Sequence, residues 1–157
     1  MTNKNYLLKY AIEYLSKYSS SKKNLERILR SKINRLTYNN IERKQLYEKI
    51  MDVINTLEMN KLLSDRDYAN DKIFTLSSRG KSKNFIIQYL ISKGINKITI
   101  NNQIEELEKS NPEWEEKSAI FYAKKKKLIN SNENYKKKLA KMARAGFSYE
   151  ISKKIIN

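Results

Sequence analysis

The sequence predicts an all-α chain of three tandem three-helix repeats, helix-turn-helix-like units set in an elongated, curved array. Three observations lead there. Only three glycines and one proline occur in 157 residues, too few to supply the turns of a hairpin-rich fold. Apolar residues recur at intervals of three and four instead of alternating, as on one side of a helix. An aromatic-alanine pair also opens a helical stretch three times, at Tyr10-Ala11, Tyr68-Ala69 and Tyr122-Ala123. Each pair is followed by a hydrophobic helix end, with 22, 25 and 23 residues separating Ala11 from Ile33, Ala69 from Gly94 and Ala123 from Gly146. Such repetition marks units that share their apolar faces with their neighbours. At 39% hydrophobic residues the core is thin, which favours shallow packing over a compact globule.

The repeats are read as residues 1–60, 61–110 and 111–157. In the first, residues 6–18 place Leu7, Tyr10, Ala11, Tyr14, Leu15 and Tyr18 at helical spacing, giving a tyrosine-rich stripe half buried against the next helix. Ser21 caps a second helix with Leu25, Ile28 and Leu29 inward and Lys22, Lys23, Arg27, Arg30, Lys32 and Arg35 outward. Residues 34–40 read as a loop. A third helix follows, with Leu46, Ile50, Val53, Ile54 and Leu57 on one side.

The central stretch, residues 57–95, carries the strongest local signals. Leu57 closes the preceding apolar face, Leu62 and Leu63 cover a turn, and Ser64 has an acid three residues on at Asp67, the spacing of a capping box. A helix therefore starts there with Tyr68, Ala69, Ile73 and Leu76 inward. Arg79-Gly80-Lys81 breaks it, and Ser82 caps another whose apolar positions are Phe85, Ile86, Tyr89 and Leu90. Gly94 ends that helix at low cost in the left-handed conformation, with Ile95 folding back. Thr99 to Glu108 forms the next, carrying Ile100, Ile104 and Leu107. In the third repeat, Asn111 and Pro112 are read as the cap and first position of a helix with Trp114, Ala119, Tyr122 and Ala123 inward. A turn at residues 129–132 leads to a helix whose apolar positions are Tyr135, Leu139, Met142 and Ala143. It ends at Gly146-Phe147, and Ser148 caps a last short helix with Ile151 and Ile155.

These residues carry a resemblance. Leu57, the pair Leu62-Leu63, an acidic helix start, Tyr68-Ala69 and, some 25 residues on, Lys93-Gly94-Ile95 resemble the central repeat of the RecX family of recombination regulators. That family usually has two adjacent acids at the helix start, where this chain has Ser64 in place of one, a conservative change for a cap. Arg144-Ala145-Gly146-Phe147 resembles the family's C-terminal ending, so the likeness covers nearly the whole chain and is weakest over the first helix. All of these positions are caps, turns and core, so they speak to fold more directly than to activity.

Composition narrows the function classes. The chain has no cysteine and no histidine, which removes thiolate and imidazole metal sites, cysteine nucleophiles, histidine triads and a disulfide framework. Asp65, Asp67 and Asp71 crowd a helix start, where complementing the helix dipole accounts for them without a metal. Arg79-Gly80-Lys81-Ser82 lacks the spacing of a nucleotide-binding loop. The N-terminal Met1–Tyr6 stretch is polar, without a signal core, and no apolar run reaches membrane-spanning length. A non-enzymatic, monomeric cytoplasmic protein without cofactors or a membrane partner is expected.

The formal charge is +16, concentrated in residues 1–63 and 111–157, and such a field attracts nucleic acid or an acidic protein surface. Richness in Asn, Ile and Tyr beside Lys is also what an AT-biased genome produces, so charge alone leaves both origins open. Cations recur at the start of each second helix: Lys22 and Lys23, then Arg79, Lys81 and Lys83, then Lys136, Lys137 and Lys138. With Arg30, Lys124, Lys125 and Arg144 they are the candidate contacts to a long anionic partner; solvated lysines at exposed helix starts account equally for the pattern. The resemblance implies the partner: the RecA recombinase and its filament on single-stranded DNA. Occupation of that filament would limit strand exchange and co-protease activity, and with them DNA repair, recombination and the SOS response. Direct, sequence-nonspecific DNA binding through the basic helix-turn-helix-like units is the rival expectation.

Overall fold

The structure, a computed structural model, describes residues 3–157; the first two residues of the polar N-terminal stretch read above lie outside the described residues. Among the described residues there are helices and turns and no strand. In order the helices are α1 (Asn3–Lys17), α2 (Lys22–Leu36), α3 (Asn40–Met59), α4 (Asp65–Ser78), α5 (Lys83–Ser92), α6 (Lys97–Ser110), α7 (Trp114–Lys125), α8 (Tyr135–Arg144) and α9 (Tyr149–Ile155). None of them is long and apolar enough to cross a membrane. Two compact units form: unit 1 is Met1–Tyr68 with Lys93–Ile95, and unit 2 is Ala69–Ser92 with Asn96–Asn157.

In unit 1, α1, α2 and α3 pack on one another. Helical spacing puts Leu7 and Ala11 of α1, Leu25, Leu29 and Ile33 of α2, and Leu46, Ile50, Val53, Ile54 and Leu57 of α3 into one core, closed by Leu63. Of the pair expected to cover the turn, Leu63 is buried and Leu62 is 53% exposed. Tyr6, Tyr10 and Tyr14 lean on this core half buried, and Tyr18 stands exposed with its ring 5.0 Å from that of Tyr14. The loop between α2 and α3 is shorter than residues 34–40. Thr37 still donates its N–H to the Ile33 carbonyl, and Asn39 at once accepts from the Ile41 and Glu42 N–H groups.

In unit 2, α5 packs on α6, and α9 on both α7 and α8. Ala119, Ala123, Leu128, Met142, Phe147 and Ile156 form a core. Three expectations are corrected here. First, α7 begins at Trp114, not at Asn111-Pro112, because Asn111 finishes α6 by donating its N–H to the Leu107 carbonyl and then accepts from the Trp114 N–H. Second, the buried residues of α8 are Lys138 and Met142, whereas Tyr135 is 41% exposed and Ala143 is exposed. Third, Phe85 is 39% exposed beside the fully buried Ile86 and Leu90. Leu128, assigned no role above, is fully buried. Lys127 turns left-handed at φ 56°, and the Leu128 N–H then reaches back to the Ala123 carbonyl, which folds the leucine under the end of α7.

Candidate partner interface

The starts of α2 and α5 are built alike, and that decides the role of the cations beside them. Ser21 accepts from the Asn24 N–H (3.1 Å) while its hydroxyl donates to the Lys93 carbonyl (2.7 Å). Ser82 accepts from the Phe85 N–H (3.1 Å) and donates to the Ala145 carbonyl (2.8 Å). The next residue repeats the parallel. The Lys22 N–H donates to the Asp65 carboxylate at 2.8 Å and the Lys83 N–H to the Glu115 carboxylate at 2.6 Å. A carboxylate on the first N–H of a helix makes a charge-assisted bond and meets the positive end of the dipole. Their ammonium groups then pair with acids late in α3 and α6: Lys22 with Glu58 at 3.3 Å, Lys83 with Glu108 at 2.7 Å. Gly94 and Gly146 complete each joint. At φ 77° and 94° they are left-handed, and a Cβ would collide with the Lys23 stem in the first and with the Ser82 hydroxyl in the second.

In the second joint burial acts on the carboxylate. Desolvation raises the Glu115 carboxyl above its ordinary value, against the bond from the Lys83 N–H and the attraction of the Lys83 charge; Glu108 pushes the same way as burial. Elsewhere in unit 2, the hydrogen bond from Lys141 holds Glu133 low, and the bond to Glu116 raises Lys154.

The candidate cations therefore fall into distinct groups. Lys22 and Lys83 are held in the joints. Lys138 is 3% exposed, its ammonium donating to the Ser131 (2.9 Å) and Asn157 (3.3 Å) carbonyls, so it offers no surface charge. Its place at the same helix start groups it in the sequence with Lys136 and Lys137, which are exposed. Lys23 lays its stem on Gly94 and approaches Glu26 at 3.8 Å; Arg30 meets Glu26 at 3.4 Å and covers the Tyr47 ring at 4.9 Å. Arg144 is exposed near the Gly146 turn.

Arg79, Lys81, Lys124 and Lys125 are brought together with two aromatic rings. The Phe121 ring rests on Gly80, between Arg79 and Lys81, and Lys124 and Lys125 follow one turn later along α7. The Lys81 ammonium sits 4.6 Å from the centre of the Phe85 ring. The Ser118 hydroxyl donates to the Lys81 carbonyl at 2.6 Å, fixing the turn against α7. No motif pointed to Phe121; its contact with the glycine turn is made across the fold.

Comparison with known proteins places this architecture. No protein-family model matches the chain. A protein of Myxococcus xanthus (strain DK1622) named regulatory protein RecX is 32% identical over 160 residues, spanning 97% of this chain and 84% of its own. The chain belongs to the RecX family. A second relative of that name, from Clostridioides difficile (strain 630), is 33% identical over 152 residues, 94% of this chain and 65% of the relative. The crystal structure of RecX from Lactobacillus salivarius superposes with a TM-score of 0.74 at 25% identity, covering 98% of this chain and 94% of that one. A further crystal structure of regulatory protein RecX gives a TM-score of 0.73 at 19% identity over 98% of this chain and 71% of that one, a likeness of fold. In this RecX-family chain the residues behind the resemblance serve the joints: Lys93-Gly94 receives the Ser21 hydroxyl, and Ala145-Gly146 receives that of Ser82.

Proposed function

We propose that this chain regulates the RecA recombinase by binding RecA and its filament on single-stranded DNA, limiting strand exchange and co-protease activity and thereby DNA repair and the SOS response. The observation that carries this reading is the match, along 97% of the chain, to a protein named regulatory protein RecX. A net charge of +16 supports it, since a filament holding DNA is a long anionic partner. The mechanism is occupation: a helical body lying on the filament competes with its substrates and changes its growth. The same reading takes the chain as a cytoplasmic monomer of three repeats, 1–60, 61–110 and 111–157. The likeness of the two joints, each tying the start of a second helix to acids and carbonyls further along the chain, favours that division.

The test measures DNA-stimulated ATP hydrolysis and strand exchange by purified RecA with this protein at stoichiometric ratios. Both should fall. Unchanged rates would reject the proposal. Charge reversals that map the contact should use Lys81, Lys124 and Lys125 against Lys136 and Lys137, leaving Lys83 intact because it closes a joint.

A further inference from the structure

We propose that the Gly80 turn and the exposed side of α7 in unit 2 form a binding surface for single-stranded nucleic acid, with unpaired bases stacking on Phe85 and Phe121 and phosphates meeting Arg79, Lys81, Lys124 and Lys125. The inference is independent of any contact with RecA. It begins with the phenylalanines. Of the four phenylalanines Phe147 is buried, whereas Phe74, Phe85 and Phe121 are 71%, 39% and 48% exposed; the last two belong to the Gly80–Lys81 turn, Phe121 resting on Gly80 and Phe85 facing the Lys81 ammonium. Exposed apolar rings on either side of one turn mark a contact surface.

The backbone beneath the rings is held in place. Phe121 lies on a backbone turn pinned by the Gly80 N–H to the Ser77 carbonyl and by the Ser118 hydroxyl to the Lys81 carbonyl. The Phe85 N–H is held by the Ser82 cap. A platform ordered before binding loses little entropy on binding.

The surrounding charge selects the occupant. Among the described residues Arg79, Lys81, Lys124 and Lys125 form no ion pair, in contrast to Lys83 close by, which is neutralised by Glu108. An acidic protein segment would answer the charges and leave two flat rings to be matched separately. A single strand offers a phosphate and a planar base at every step, the pairing of features displayed here. A duplex keeps its base faces stacked inside, so a preference for single strands follows.

The test is binding of fluorescently labelled oligothymidylate to the full-length chain by anisotropy across a salt series, with Phe85→Ala/Phe121→Ala and Lys124→Glu/Lys125→Glu variants checked for unchanged helicity. The wild type should bind, with log K falling against log salt by about 0.7 per phosphate engaged. The double phenylalanine variant should lose at least about tenfold at every salt concentration, as expected from lost stacking. The double charge reversal should weaken binding and flatten the salt slope, whereas Lys136→Glu/Lys137→Glu should do less. Absence of oligothymidylate binding by the wild type would overturn the inference, as would a phenylalanine variant that binds like the wild type. If the phenylalanine variant loses only the RecA-coated strand while naked strand goes unbound, the patch serves a protein and this inference falls. RecA inhibition by a wild type that ignores oligothymidylate would leave the proposed function standing; binding without inhibition would do the reverse.

Discussion

The joint at the start of α2 and the joint at the start of α5 share a plan and differ in their surroundings. In both, a buried serine hydroxyl reaches a carbonyl beside a left-handed glycine, a backbone N–H takes a carboxylate, and a lysine closes an ion pair. Around Ser21 the neighbouring side chain is Ser20, itself buried and donating to the Ser21 carbonyl. Around Ser82 the neighbours are Gly80 and Lys81, with Phe121 and Phe85 against them. One plan thus yields a plain structural joint in unit 1 and, in unit 2, a joint flanked by unpaired cations and exposed rings. The comparison teaches that a cation next to a helix start is not one kind of residue. Lys22 and Lys83 belong to the plan, and Lys81 is an addition to it.

The glycines give the largest expected losses, and test whether the two joints are equally enclosed. Gly146→Ala should cost about 3 kcal/mol, combining left-handed strain with overpacking against the Ser82 hydroxyl, which is buried and engaged on both sides. Gly94→Ala should cost a similar amount, about 3 kcal/mol: although the Lys23 side chain is 71% exposed, the added Cβ meets its Cγ and Cβ, and the position of that Cβ is set by the backbone of α2. Urea denaturation of both variants measures the losses, and a much smaller loss for Gly94→Ala would mean that the start of α2 shifts to make room.

Next come the serines. Ser82→Ala and Ser21→Ala each remove a helix cap and strand a carbonyl, and each should cost about 2 kcal/mol. Comparable losses in thermal unfolding would establish that the two joints are energetically equivalent at this step. A much smaller loss for Ser21→Ala would show Ser20 substituting for it.

The smallest effect concerns pH and the second joint. The Glu115 carboxyl is raised in the folded state by desolvation, so its contribution to stability is fully present below the ordinary glutamate value of 4.5 and is lost as pH rises through the raised folded value. Glu115→Gln keeps an acceptor for the Lys83 N–H and removes the ionisation. Its stability relative to the wild type should therefore rise over that interval, read as a difference between midpoints of denaturation at successive pH values. A constant difference would mean that the Lys83 charge and N–H already offset the burial.

The sequence by itself determined the helices and most of their ends, because capping and periodicity are local: Ser21, Ser64, Ser82 and Ser148 cap where they stand, and Leu25, Leu29, Ile50, Leu57 and Ile73 face inward by spacing alone. Only the tertiary structure decided which cations remain available. Lys138 is buried with its ammonium on carbonyls 7 and 19 residues away, and Lys22 and Lys83 are neutralised by acids 36 and 25 residues away. Phe121 likewise acquires its place from a glycine 41 residues earlier. A charge is visible in a sequence, but its compensation depends on distances in space, and those are set when apolar faces pack.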